Sequence, residues 1–432
     1  MQRRRWAVRL SPIVAACALV SCTSDDTSPE AAPSSSSQVT SGSDSSSGEQ
    51  TGSPGEPSDS ASESSSEPPD KTTEPSQSPT EPEPDPDPRE ITAVMSGDVL
   101  LHEGLWETAR IDATRTGRGS MDFRPLFAPM RPVVSAADVA ICHMETPVAP
   151  KGGPFYGYPS FSSPPAVLPA LEKTGFDVCT TASNHSIDQG FEGLTRTIDG
   201  LEAASLEHTG TYATKADSRE PLIMEVDGVK VGLISQTYGT NGIPLPEGKP
   251  WSVPIIDPDE IKQLAAKAKD QGAEIVMVAL HWGLEYTHEP SYDQVAVAEE
   301  LAESPDINLI FGHHAHVVQP YDKVGGTWVV YGLGNAVAQQ DTAVEGVYDG
   351  NTARVTFTER PNGSFRVSLL EYIPTMITRF DGSSPMRWLN VSRALEDPRY
   401  TGLRDLLAAT HDRVSAAVNL ENAFARGVVE GE

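Results

Sequence analysis

Five short apolar runs, Ile91 to Met95, Val139 to His143, Val178 to Ala182, Ile275 to Leu280 and Leu309 to Phe311, each lead within a few residues to Gly, Asn, His, Glu or Asp. Runs of that length read as buried strands, and the polar residues at their ends form a rim. Helix-like stretches lie between them: Pro165 to Lys173, Phe191 to Ala204, Pro258 to Asp270 and Gln294 to Glu303. Strands alternating with helices predict an α/β architecture. Two hairpins interrupt the pattern, Leu222 to Ser235 turning at Asp227-Gly228 and Ala353 to Tyr372 turning at Pro361-Asn362-Gly363. The spacing of Leu406, Leu407, Val414, Val418, Leu420 and Phe424 predicts a C-terminal helix from Asp405 to Phe424 that packs on the domain.

The chain before residue 90 follows other rules. From Thr23 to Pro88 it is almost entirely Ser, Pro, Glu, Asp, Thr and Gly, with Val39 its only large aliphatic residue. Such a segment cannot offset its ordering entropy by burial, so it reads as a disordered tether. The composition of its Glu81-Pro82-Glu83-Pro84-Asp85-Pro86-Asp87-Pro88 end predicts a stiff, extended stretch. Residues 1 to 22 combine Arg3, Arg4, Arg5 and Arg9 with an apolar stretch from Ile13 to Val20 and a Leu19-Val20-Ser21-Cys22 end. A basic start, a short apolar run and a small residue before the end describe a secretory signal. The end resembles the lipobox of bacterial lipoproteins, with Cys22 the lipidated first residue of the mature chain; the alternative is an ordinary cleavable signal with an incidental Cys. The adjacent arginines also match twin-arginine export. The expected organisation is a lipoprotein signal over 1–22, a linker over 23–89, a folded domain over 90–395 and a C-terminal helical segment over 396–432, held by lipid at the extracellular face of a membrane.

Charge narrows the partners. The linker carries fifteen acidic residues against Lys71, a net −14; removing that and the +4 of the signal arginines from the total of −29 leaves −19 for residues 89–432. A fold that acidic disfavours nucleic acid. Of four cysteines, Cys142 and Cys179 remain outside the N-terminal segments, so this is not a disulfide scaffold. These two form either a disulfide or a pair of buried thiols.

The strand-end residues carry the chemistry: Asp98 after Gly97, Glu145, the pair Asn184-His185, His281, and His314 with His316. Carboxylate, amide and imidazole donors without thiolate suit manganese, iron or zinc, and donors from five strand ends can surround two ions about 3.5 to 4 Å apart. Glu145 or Asp98 supplies the bridging carboxylate. In Gly312-His313-His314-Ala315-His316, alternation along an extended segment puts two rings on one side.

Six stretches, Ser96-Gly97-Asp98-Val99-Leu100-Leu101, Met144-Glu145-Thr146-Pro147, Ala182 to Gly190, His281-Trp282-Gly283-Leu284-Glu285-Tyr286, Gly312 to Gln319 and Gly332-Leu333-Gly334-Asn335, together resemble the CapA family of poly-γ-glutamate capsule proteins, a relative of the calcineurin-like metallophosphoesterases. The resemblance covers about Ile91 to Gln339. It implies a four-layer αββα fold, two mixed sheets packed face to face with helices outside. It also implies Asp98, Glu145, Asn184, His281, His314 and His316 as ligands of two divalent metal ions, and His185 as a general acid oriented by Asp188. The implied role is capsule polymer synthesis or export, with the polymer or its synthase as partners. The family's usual Asn-Leu-Glu is here His143-Met144-Glu145, so His143 is an extra ligand, a partner of Glu145 or a space filler. His102 either enters the site or lies at the surface, and Glu285 is either an acceptor for a liganding histidine or a solvated charge. Trp282 and Tyr286 read as wall and core. Two functions follow: a metal-dependent hydrolase of an ester or amide, phosphoester favoured, or a non-catalytic assembly protein with structural metals.

Overall fold

A computed structural model describes residues 87–340 and 344–432. The signal, the Cys22 site and nearly all of the linker lie outside the described residues. In chain order the strands are β1 (Glu90–Val99), β2 (Val139–Met144), β3 (Val178–Thr180) and β4 (Glu207–Thr209), then β5 (Leu222–Val226), β6 (Val229–Thr237), β7 (Ile275–His281) and β8 (Leu309–His313). There follow β9 (Tyr321–Val324), β10 (Thr327–Val330), β11 (Asn335–Val337), β12 (Asp349–Glu359), β13 (Phe365–Ile377), β14 (Trp388–Asn390) and β15 (Val429–Glu430). One sheet runs β14-β13-β12-β1-β2-β3-β4, with β11 beside the end of β1 and β15 beside β13; the other runs β5-β6-β7-β8-β10-β9. Both are mixed: β1 is parallel to β2 and antiparallel to β12, and β10 is parallel to β8 and antiparallel to β9.

Period-2 alternation sorts the strand residues into layers. Ile91, Ala93, Met95, Val139, Ile141 and Val178 of the first sheet share one buried cluster with Val231, Leu233, Ile275, Met277, Ala279, Leu309 and Phe311 of the second. The sheets therefore pack face to face. The alternate residues point outward, Ala140, Cys142, Met144 and Cys179 against Leu105, Trp106 and Ala109 of helix Glu103–Thr116. On the other flank Val276, Val278, Leu280 and Ile310 meet Ile261, Ala265 and Ala268 of helix Pro258–Asp270. That is the expected four-layer αββα sandwich.

Local chemistry sets the helix ends. The Asp257 carboxylate accepts from the backbone N–H groups of Asp259 and Glu260. Ser291 and Gln294 form a capping box, so the helix expected from Gln294 begins at Tyr292. The C-terminal helix spans Arg404–Val418 and lays Val414, Ala417 and Val418 into the inter-sheet cluster. It stops short of the expected Phe424 because Asn419 accepts from the Phe424 N–H at 3.0 Å and Asn422 turns at φ 57°, after which β15 joins the sheet. Cys142 and Cys179, in register on neighbouring parallel strands, form a disulfide.

Candidate metal centre

The inward alternation that builds the core also builds the floor of the site. One step beyond Ile141, Ala279 and Phe311, the inner-face positions are His143, His281 and His313, all buried. His281 lies in register beside His313, and the rings of His143 and His313 stack across the sandwich with centroids 4.0 Å apart. Asp98 joins them through a bulge. Met95 pairs with Ile141 but Asp98 pairs with His143, so three steps along β1 match two along β2. A one-residue slip exchanges the faces, which turns Asp98 inward and sends Val99 to the outer cluster.

Asp98 is held from the opposite sheet. Its Oδ1 accepts from His313 Nδ1 at 2.9 Å, and its Oδ2 accepts the His314 backbone N–H at 3.2 Å and faces His316 Nδ1 at 3.2 Å. β8 ends at His313, and His314 and His316 adopt φ of 89° and 56°. A left-handed turn, not the extended alternation expected above, brings their rings together. Strain of this kind in non-glycine residues gathers at functional sites. Gly312 permits the approach, since a Cβ there would lie 2.0 Å from the Tyr331 carbonyl oxygen and 2.3 Å from Trp282 Nε1. Asn335 donates through Nδ2 to the Val347 carbonyl at 2.9 Å, which leaves its Oδ1 to accept from His316 Nδ1 at 3.0 Å. His316 Nε2 then faces Glu145 Oε1 at 3.9 Å.

A chain of hydrogen bonds holds the other side. Asn184 Nδ2 donates to Asn241 at 3.2 Å, its Oδ1 meets His281 Nε2 at 2.9 Å, and His281 Nδ1 meets His143 Nε2 at 3.0 Å. His143 Nδ1 in turn meets Thr180 Oγ1 at 2.8 Å. His143 therefore partners His281, and not Glu145 as one expectation had it.

Glu145 is fully buried, and neither carboxylate oxygen has a hydrogen-bond partner among the described residues. Burial holds its carboxyl well above the usual range. Burial also opposes ionisation of Asp98, but hydrogen bonds from His313 and His316 outweigh it and hold that carboxyl well below. His316, despite burial, is raised to about 9 by Glu145 and Asp98, whereas burial takes His314 down to about 3 and His143 and His281 well below the usual imidazole range. The cluster is thus shaped for positive charge at its carboxylates, where His316 holds its proton, and keeps His314, His143 and His281 as neutral imidazoles. Three groups bring donor atoms within 4.8 Å of one another: Asp98, His143 and His281; Asp98, Glu145 and His316; and Glu285, His314 and His316. The orphaned Glu145 oxygens and this carboxylate-imidazole set fit a divalent transition metal.

His185 and Asp188 stand beside this set. His185 Nδ1 lies 2.7 Å from Asp188 Oδ2, which also accepts the Phe161 N–H at 2.7 Å. The Phe161 ring packs edge-on between His185 at 4.8 Å and His102 at 5.2 Å. His102 is buried, its Nδ1 between the Gln339 N–H at 3.1 Å and the Leu100 carbonyl at 3.2 Å, so it backs Phe161 and is not a surface group. Trp282 is buried as wall, its indole N–H bonded to the Tyr331 carbonyl, while Tyr286 is 41% exposed and is not core. Glu285 is exposed at the mouth. The sequence reading missed His313, Asn335, Asn241 and Phe161. Counting alternate positions onward from Phe311 points to His313; Asn335 opens β11, and Asn241 and Phe161 are placed by loops.

Fold and site define a class: a four-layer α/β sandwich with a carboxylate-imidazole centre where strands of both sheets end. The chain belongs to the bacterial capsule synthesis protein PGA_cap family, whose sequence pattern matches residues 92–340. It is similar to the capsule biosynthesis protein CapA of Bacillus anthracis, 27% identical over 296 residues that cover 67% of this chain and 68% of that protein. The PGA biosynthesis protein CapA of Bacillus subtilis (strain 168) is 30% identical over 172 residues, 39% of this chain and 44% of that protein. Among solved structures, the calcineurin-like phosphoesterase YfkN of Bacillus subtilis superposes with a TM-score of 0.43 at 12% identity, covering 76% of this chain and 99% of that one.

Proposed function

We propose that the chain is an envelope-anchored, metal-dependent hydrolase of a phosphoester, acting in the synthesis or export of poly-γ-glutamate or another capsule polymer. The observation that carries the hydrolase reading is the pairing of two features: a buried carboxylate with both oxygens unpartnered among histidine nitrogens, and an Asp-held histidine outside that set. The names of the two CapA relatives support the capsule role. Asp98, Glu145, Asn184, His281, His314 and His316 would hold two divalent ions, manganese, iron or zinc, which when bound supply Lewis acidity and neutralise charge on the reacting group. Glu285 stands within reach of His314 and His316 as a further donor. Asp188 fixes the His185 ring through Nδ1, which leaves Nε2 to carry a proton to the leaving oxygen. Phe161 keeps both groups in place with its backbone N–H and its ring.

Metal content and turnover together test this. His185→Ala should keep metal and folding while lowering turnover about 10² to 10⁴-fold, and His316→Ala should lower metal content as well. Absence of metal uptake, or of hydrolysis across a phosphoester panel with manganese, iron and zinc, together with full complementation of capsule formation by His185→Ala, would favour the assembly role instead.

A further inference from the structure

Two half-exposed tyrosines flank the histidines of the centre. Tyr238, the first residue after β6, is 43% exposed, and its ring lies 4.5 Å from that of His314 and nearly parallel to that of His281. Tyr286 stands 6.1 Å from His316 and holds φ 64°, a conformation that a bulky side chain rarely adopts; its N–H is tied to the Ala315 carbonyl at 2.8 Å. The fold therefore spends backbone strain to keep an aromatic ring at the mouth, where it covers no core. Both hydroxyls meet amides: Tyr238 Oη donates to Asn241 Oδ1 at 3.3 Å and Tyr286 Oη accepts from Gln340 Nε2 at 3.4 Å. The rim also carries the exposed Glu285 carboxylate, which faces the Tyr286 hydroxyl. An aromatic face beside amides and a carboxylate acceptor matches a ring with apolar C–H faces and hydroxyl edges.

We propose that Tyr238 and Tyr286 form a binding subsite for an uncharged sugar ring, so that the group presented to the centre is a glycosyl phosphate. The phosphate half of this statement rests on the hydrolase reading above; the sugar half does not.

Saturation-transfer NMR on the full chain with methyl α-glucopyranoside, run with zinc and again with chelator, tests the sugar half. Transfer to the glucoside protons is expected in both conditions. Tyr238→Ala and Tyr286→Ala should each weaken binding about 5-fold, while Tyr286→Phe, which keeps the ring, should retain it. A γ-glutamyl tetramer at equal concentration should show no transfer. Absence of glucoside transfer, indifference to both alanine variants, or tighter binding of the γ-glutamyl tetramer would each overturn the proposal. If Tyr238→Ala does not fold, Tyr286→Ala decides. Because the glucoside carries no phosphate, failure of metal uptake or turnover would remove the hydrolase reading and leave this result standing.

Discussion

His143 acts on the centre through another residue. Its Nε2 lies 3.0 Å from His281 Nδ1, its Nδ1 lies 2.8 Å from Thr180 Oγ1, and its ring is stacked on His313. Removing it leaves a buried imidazole nitrogen unpaired and lets the His281 ring turn. His143→Ala should weaken metal affinity about 10 to 100-fold in a competition titration with a chelating dye, and His143→Gln should recover part of it. Equal affinity in wild type and His143→Ala would show that the ring only fills space. His102 gives a pH signature. Burial lowers it from 6.5 to about 4, outweighing the Leu100 carbonyl 3.2 Å from its Nδ1, which favours the charged ring. The folded state then binds fewer protons than the unfolded one between those values, so this contribution is complete above pH 6.5 and is lost as pH falls toward 4. In urea unfolding with chelator present, the stability gap between wild type and His102→Asn should shrink by about 2 kcal/mol from pH 7 to pH 4.5. A gap that does not change would refute it.

At the scale of elements, the bulge in β1 decides whether Asp98 belongs to the site at all. It depends on Gly97, where a Cβ would stand 2.1 Å from the Gly334 carbonyl oxygen, with Asp98 N–H donating to that same oxygen at 3.0 Å. Gly97→Ala must push β1 away from β11 or straighten the bulge, and either change moves Asp98 from its partners on His313 and His316. We expect a loss of about 2 to 3 kcal/mol in denaturant unfolding and reduced metal uptake. Wild-type stability with full uptake would show that the strand tolerates a side chain there. By contrast, the turn at His314 to His316 is held by the hydrogen bonds it donates to the Asp98 carboxylate and to Asn335 Oδ1, so it forms only when β1, β8 and β11 have met.

At the scale of the whole molecule, the site lies far from where the preceding segment joins. Asp98 is eight residues along β1 from Glu90, roughly 26 Å at strand rise. No helix among the described residues is long and apolar enough to cross a membrane. Anchorage through Cys22 predicts that the mature chain starts at a lipid-modified Cys22 and partitions with membranes. Mass spectrometry of the N-terminal peptide checks it, and an unmodified Cys22 or processing elsewhere would refute it.

The sequence by itself determined the α/β alternation and most of the candidate donors, while the four layers came only with the family resemblance. Strand alternation is a local rule, so Ile91 to Met95, Val139 to His143 and Leu309 to Phe311 announced both their strands and their polar ends, and Asp98, Glu145, Asn184, His281, His314 and His316 stood out as donor types at those ends. Helix Glu103–Thr116 escaped notice because its buried side includes Gly104, Thr108 and Asp112 along with Leu105, Trp106 and Ala109, which blurs the apolar stripe. Only the tertiary structure decided which face Asp98 takes, because a bulge is set by the approach of Gly334 from a strand more than 200 residues away. It also decided that His313 holds Asp98 and that His143 answers to His281, since stacking across two sheets has no spacing in the chain. The mouth was decided the same way: Tyr286 looked like core by composition, and the left-handed turn that exposes it exists only where the Ala315 carbonyl fixes its N–H.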